Sequence, residues 1–450
     1  MTKARALGAL AALAVFAAAP LGGMDFDWGG FLYNDTELAV SQVASSPAWS
    51  IAQKDQLALW LDARFSPTFA LSAQGSYTFT LDRPYLFDLE SLKADWRPME
   101  VLRFEAGRMG MSDFTGLVLG HTLDGLRLTL DLPFAKITGG AGFSGLLLKP
   151  VSSIIMSRTD SADLTDNAAY FAAPRLVEEL DGLFPQLFLY QDLRVSVVLQ
   201  QDLRPDASVI AEGEEQETVA GLSGGKLSTQ YFGFGLSGRI VPSLYYDAFC
   251  YLGTGRTLSY VVDSSSGTGF SYQYRPILAC LGGLGVRYFM EQARYSIVEV
   301  RGVIGSGDAD SSRYLEGNTD ERSGLFVPVS QADDWIAFSP QLGNLLALEA
   351  SYSLKPFTGS KVATLDRLQT MARIGTFLRP TTGAISDSSL ESASTAHYLG
   401  TEVELIARYR PFSDFGLALS FGAFFPNPAA FTATADEPTL AGRLEFSFSF

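Results

Sequence analysis

Polar and apolar residues trade places at every second position along most of the chain. From Thr68 to Leu81 one set of positions reads Phe69, Leu71, Ala73, Gly75, Tyr77, Phe79 and Leu81, and the intervening set reads Thr68, Ala70, Ser72, Gln74, Ser76, Thr78 and Thr80. A β-strand turns successive side chains to opposite faces, so this segment predicts a strand with one face suited to lipid and one suited to water. The last segment repeats the pattern, with Leu440, Gly442, Leu444, Phe446, Phe448 and Phe450 set against Ala441, Arg443, Glu445, Ser447 and Ser449.

The same reading predicts strands over Gly29–Val40, Asp55–Phe65, Phe87–Trp96, Val101–Met109, Leu123–Leu132, Ala135–Leu147, Leu193–Leu203 and Leu227–Ile240. Further strands are expected over Leu244–Leu252, Tyr274–Phe289, Arg294–Ile304, Leu342–Leu354, Leu368–Leu378, Leu399–Arg410 and Phe415–Phe425. Many run to about ten residues, the length a tilted strand needs to cross hydrocarbon.

Connections alternate in length. Tight turns are expected at Ser66–Pro67, Arg97–Glu100, Asp131–Phe134, Val241–Ser243, Met290–Gln292, Lys355–Ser360 and Arg410–Asp414. Longer polar connections lie between them, at Met111–Gly120, Lys149–Gln191, Arg204–Lys226, Gly253–Gln273, Gly305–Gln341, Arg379–Tyr398 and Pro426–Thr439. Short periplasmic turns alternating with long external loops mark a transmembrane antiparallel up-and-down β-barrel. The parity of the turns fails once, between Leu147 and Leu193, which predicts a further strand there, placed within Pro185–Tyr190, and a total of about eighteen. Ala168–Leu180 is a candidate loop helix, and the 149–191 stretch is long enough to fold into the lumen as a constriction or plug. A sandwich would divide into smaller cores, and propeller blades would impose a repeat of roughly 40 to 50 residues; neither is visible.

Composition narrows the class. Lys3 and Arg5, an Ala-rich apolar run from Ala6 to Pro20, and small residues at Leu21 to Gly23 have the form of a secretory signal peptide, so residues 1–23 are expected to be a leader and 24–450 a single outer-membrane barrel domain. Cleavage is expected after Gly23 or Ala19, and no Cys follows the apolar run to carry a lipid anchor. The formal charge is −16, and loss of Lys3 and Arg5 makes it more negative, which argues against a nucleic-acid partner. Hydrophobic residues make up 47% of the chain, yet no mature segment is apolar for the 18 or so residues a membrane helix needs. The two cysteines, Cys250 and Cys280, fall on the lipid face of adjacent strands by parity and read as small apolar residues or a cross-strand pair.

Charges on the lipid face near the midplane cost about 2–4 kcal/mol for Arg or Lys. The inward set therefore includes Arg103, Glu105, Arg127, Arg287, Glu299, Arg301, Arg373, Glu402, Glu404 and Arg408. These residues either form a charged constriction that selects solutes or a ladder that neutralises itself, Glu404 and Arg408 being the pair most suited to the second reading. Acidic residues crowd two loops: Asp308, Asp310, Glu316, Asp320 and Glu321 in one, and Asp202, Asp206, Glu212, Glu214, Glu215 and Glu217 in the other. Such loops can hold calcium, with Asp308 and Asp310 the candidate ligands, although no defined ligand spacing is present and no other cofactor is expected. With only His121 and His397 available, a hydrolase triad would need His397 facing Ser394 or Glu402, and no enzyme activity is expected.

Several short phrases resemble the alginate-export type of bacterial outer-membrane porin. They are Gly305-Ser306-Gly307-Asp308, Phe326-Val327-Pro328, His397 to Glu404, and Gly422-Ala423-Phe424-Phe425-Pro426, with Gly107-Arg108 and Asp124-Gly125-Leu126-Arg127 near the N-terminus. The resemblance implies an eighteen-stranded monomeric barrel that passes an anionic polysaccharide through an Arg-lined constriction. The terminal Phe450 is similar to the signal read by the barrel assembly machinery. Together these readings predict passive diffusion or export of small polar or anionic solutes, saccharides included. The alternatives are a plugged barrel acting as an adhesin or structural protein, or a barrel hydrolase.

Overall fold

A computed structural model of the chain describes residues 24–41, 47–152, 154–165, 170–188, 190–215, 224–311, 313–315, 321–330, 335–362 and 364–450. The expected leader, Glu217, Glu316 and Asp320 lie outside the described residues.

Eighteen antiparallel strands close into one barrel. They are β1 (Asp25–Ser41), β2 (Ala48–Ser66), β3 (Phe69–Thr80), β4 (Leu86–Met99), β5 (Leu102–Ser112), β6 (Gly120–Leu132), β7 (Ala135–Phe143), β8 (Arg175–Phe188) and β9 (Gln191–Asp202). The second half comprises β10 (Ser228–Val241), β11 (Leu244–Val262), β12 (Phe270–Met290), β13 (Ser296–Gly305), β14 (Leu345–Leu354), β15 (Leu368–Leu378), β16 (Tyr398–Phe412), β17 (Phe415–Pro426) and β18 (Thr439–Ser449). Each strand pairs with its sequence neighbours, and β1 pairs with β18 from Phe31↔Ser449 to Val40↔Leu440, so no edge is left open. Phe450 and Gly30 exchange backbone hydrogen bonds at 3.0 Å in both directions. A Cβ on Gly30 would lie 2.6 Å from the Phe450 ring, so the seam closes only over glycine.

The outer wall is apolar. Leu126, Leu128, Phe232, Phe234, Leu252, Val300, Leu348, Ile374, Leu405 and Phe421 are all exposed on it, and the residues between them turn inward. Aromatic side chains collect near the end with short turns, among them Trp96 stacked on Phe104, Tyr245 against Phe289, and Phe448 beside Phe450. That placement suits a membrane interface. No described helix is long and apolar enough to cross a membrane.

The structure corrects the sequence reading between Leu147 and Leu193. The missing strand is β8, Arg175–Phe188, which begins ten residues before Pro185 and occupies part of the segment read as helix over Ala168–Leu180. The loop helix is α1 (Arg158–Thr165) instead. In β8 the apolar Leu176, Leu180 and Phe184 face out while Val177, Glu179 and Asp181 face in; Glu178 on the outer face and two inward acids hide the period of two. The long connection between β11 and β12 is also shorter than expected, because both strands extend as a hairpin to Val262 and Phe270.

A barrel this wide does not fill itself with wall side chains. Three loops at the long-loop end turn into the lumen and supply a core. Val118 and Leu119 from the β5–β6 loop, Leu147, Ile154 and Met156 from the β7–β8 loop, and Phe326 and Val329 from the β13–β14 loop pack on Met109, Leu123, Val177, Val198, Tyr231 and Tyr251 of the wall. Residues beyond Lys149 thus do narrow the lumen, but only as one of three contributors.

Candidate solute path through the lumen

Each inward loop is fastened by a buried carboxylate. Asp113, at the foot of the β5–β6 loop, accepts the N–H groups of Thr115 (2.8 Å), Val118 (3.1 Å) and Leu119 (2.6 Å) and the Tyr251 hydroxyl (2.6 Å). Val118 O in turn accepts the N–H groups of Val329 and Ser330, which ties this loop to the β13–β14 loop.

Glu402 and Glu404, successive inward residues of β16 and fully buried, hold the far part of the β13–β14 loop. Ala337 and Phe338 donate their N–H groups to Glu402 at 2.9 Å each, and Ile336 donates to Glu404 at 3.0 Å. Arg373 Nε donates to Glu404 at 2.6 Å, and its guanidinium lies 3.9 Å from the Trp335 ring. Gly422 gives this latch room, since a Cβ there would meet Ile336 Cγ1 at 2.6 Å and Glu402 Oε1 at 2.8 Å.

The β7–β8 loop is pinned by charge. Asp160 of α1 accepts from Arg175 (2.6 Å), Arg204 (2.5 Å) and the N–H groups of Met156 and Ser157 (2.9 Å each), and Asp202 completes the cluster with Arg204 at 2.7 Å. Burial alone would push the Asp160 carboxyl up; the two guanidinium groups outweigh it and hold the carboxyl below the ordinary range.

Beneath the β5–β6 loop the wall carries a second charge group. Register places Asp95 opposite Glu105 and Glu105 opposite Arg127, so the three inward residues share one level of β4, β5 and β6. Glu105, only 3% exposed, binds Lys93 (2.9 Å), Arg103 (3.1 Å) and Arg127 (2.8 Å), and Arg103 also reaches Asp95 (2.5 Å). Arg103, Arg127 and Lys136 border a cavity of about 410 Å³ whose other side is Asp113, Glu179 and Asp181.

At the short-turn end the lumen is polarised. Lys355, Arg367, Arg408 and Arg410 line a groove of about 640 Å³ with Glu445 the one acid among its lining residues. Farther round the same end, beyond the β1–β18 seam, Asp25, Asp27, Asp62 and Asp95 line another of about 710 Å³ together with Arg64 and Arg97. None of the four cations has a carboxylate partner among the described residues; Arg367 donates to Pro411 O, and Lys355 lies against the Tyr295 ring.

All ten residues singled out in the sequence sit on the inward face, but not in one place. Arg103, Glu105 and Arg127 form the β4–β6 group, Arg373, Glu402 and Glu404 belong to the latch, and Arg287 pairs with Glu299 at 2.8 Å. Arg301 has no ion-pair partner among the described residues. The expected pairing of Glu404 with Arg408 does not occur, because four residues along a strand span roughly 13 Å; Glu404 takes Arg373 from the neighbouring strand and leaves Arg408 in the groove.

The hydrolase arrangement does not form either. His397 Nδ1 lies 2.8 Å from Arg379 O, Ser394 donates to Ala429 O, and Glu402 is occupied by the latch. Asp308 braces its own loop by accepting the Gly324 N–H, and among the described residues no three His, Cys, Asp or Glu side chains converge as a metal site. Asp202 is in the α1 cluster and Asp206 binds Lys226. Cys250 and Cys280 are free thiols on the outer wall, opposite Gly282 and Leu252 respectively rather than each other.

The sequence reading missed Lys93, Asp95, Lys136 and Arg410, which inward parity could have found, Lys355 and Arg367, which lie just outside the ends of β14 and β15, and Glu179 and Asp181, which lay in the unread strand.

No protein-family model matches the chain, and no curated protein is similar to it in sequence. Solved structures do match over nearly its full length. Pseudomonas aeruginosa OccK11 (OpdR) is 13% identical over 95% of this chain and 96% of its own, with a TM-score of 0.55. OpdQ of the same organism is 11% identical over 95% and 98%, at 0.57, and OccK2 (OpdF), solved in complex with glucuronate, is 12% identical over 94% and 98%, at 0.53. The barrel is therefore similar in fold to the OccK/Opd outer-membrane porins, while the finer likeness to the alginate-export type finds no counterpart among these matches.

Proposed function

We propose that this barrel is an outer-membrane channel for passive diffusion of small carboxylated solutes. The observation that carries the reading is the groove of Lys355, Arg367, Arg408 and Arg410, four cations none of which is bound to a carboxylate among the described residues. In a narrow, low-dielectric passage such charges concentrate anions and set selectivity. Arg301, Lys136 and the cation excess around Glu105 extend the same field toward the constriction. Small solutes suit the passage better than a polysaccharide, because three inward loops share the lumen with whatever passes. The glucuronate bound by OccK2 is a solute of this size and charge.

The test is a reversal potential in a planar bilayer under a potassium chloride gradient. The wild type should conduct and favour chloride, and the Arg367→Gln/Arg408→Gln/Arg410→Gln variant should lose about threefold or more of that preference. A protein that inserts but passes no current, or an unchanged reversal potential in the variant, overturns the proposal.

A further inference from the structure

The cavity beneath the β5–β6 loop has two chemically opposite sides. Arg103, Arg127 and Lys136 stand on one, with Glu105 between the two arginines, and Glu179 and Asp181, alternate inward residues of β8, stand on the other with Asp113. Asp113 is fully used by its loop and Tyr251. The β8 acids are not: Glu179 Oε2 and Asp181 Oδ1 accept no hydrogen bond, and the nearest hydroxyl to Asp181 is that of Ser196, which faces it across the β8–β9 pair. Glu179 is only 4% exposed and lines the cavity with the half-buried Asp181, so each acid brings to that space one carboxylate oxygen that accepts no hydrogen bond, while Ser196, 2% exposed, lies behind Asp181.

The chain's own cations hydrogen-bond other groups, and Arg127 acts on Glu179 only through its field. Arg127 binds Glu105 and Gly110 O, Arg194 reaches Phe114 O, and Arg175 is held by Asp160 and Asp202. Buried acceptors without partners are unfavourable, and a donor that carries positive charge would satisfy both at once. A bare metal ion does not fit, since no three metal-ligating side chains converge among the described residues and three cations border the same space. A solute with a positive and a negative end does fit: its ammonium group donates to Glu179 and Asp181, while its carboxylate accepts from Arg127 and Lys136. The cavity of about 410 Å³ is in the range of small-molecule sites.

We propose that the constriction holds a cation subsite, built from Glu179 and Asp181, that makes the channel select small zwitterions such as amino acids over plain carboxylates of equal size. This rests on the channel reading above and names the solute class it leaves open.

The experiment compares uptake of labelled 4-aminobutanoate and butanoate into liposomes containing the purified full-length barrel, probes that differ by one ammonium group. Wild-type protein should admit 4-aminobutanoate about fivefold faster or more, a ratio that one charge-assisted contact supports. Glu179→Gln/Asp181→Asn should bring the ratio to about one while butanoate entry persists. Heat-modifiable gel migration reports whether this variant folds; if it does not, Asp181→Asn alone, at a half-buried position, should cut the ratio by half or more. Equal wild-type rates for the two probes, or a ratio unchanged in a folded variant, overturn the subsite and leave the channel standing. Entry of neither probe through the wild type overturns the channel reading itself.

Discussion

The two ends of the lumen use charge in opposite ways. At the long-loop end, Asp160, Arg175, Asp202 and Arg204 are buried against one another, and Glu402, Glu404 and Arg373 are closed over by Trp335 to Phe338. At the short-turn end, Lys355, Arg367, Arg408 and Arg410 line an open groove and bind no acid among the described residues. Formal charge alone does not distinguish the two. A buried charge must be paired because desolvation penalises it, and once paired its field is spent on holding structure. A charge in water can remain single and act on whatever passes.

The comparison breaks most visibly if a buried cation is removed. Arg175→Met leaves Asp160 and Asp202 buried with one guanidinium between them, and losing one partner of a buried pair typically costs about 3–5 kcal/mol. Unfolding in detergent followed by heat-modifiable migration should show a loss of this order, whereas Arg408→Gln should stay within about 0.5 kcal/mol of wild type. Equal losses in the two would erase the distinction between the ends.

An intermediate effect is expected at the latch. Glu402→Gln/Glu404→Gln removes the anionic acceptors of three backbone N–H groups and takes Glu404 from Arg373, a loss of about 1–3 kcal/mol for each buried group left unsatisfied. The segment from Trp335 to Phe338 should then leave the wall, and single-channel recordings should show a noisier current with altered amplitude. Traces indistinguishable from wild type would mean that the carboxylates do not hold the loop.

The smallest effect is one of acidity. Because Asp160 is held below the ordinary carboxylate range in the folded loop, its contribution is complete above the ordinary range and fades as pH falls through the lowered value. Limited proteolysis within residues 144–174 should therefore be resisted at neutral pH and accelerate only in strong acid. Onset at mildly acidic pH, or on raising the pH, would contradict the assignment.

The alternation of side chains located seventeen of the strands, and turn parity demanded one more. Where local pattern and tertiary role diverged, the reading slipped. β8 carries Glu178 on its outer face and Glu179 and Asp181 inward, so three acids in four residues look like a loop until neighbouring strands show which way each one faces. The ten inward charges were legible for a related reason, since lipid excludes them from the outer wall. Their partners were not: Arg443 is bound to Asp35, 408 residues away, through a seam that exists only when the cylinder closes.

Sequence by itself thus determined the kind of object this is, a wall of strands greasy outside and hydrophilic within, because a strand's facing is a local property with a period of two residues. Tertiary structure alone decided that three loops enter the lumen, which carboxylates fasten them, and which cations and acids are left over. Those outcomes depend on which strands become neighbours around a closed circumference and on how far each charge is removed from water, and neither quantity is written at any single position of the chain.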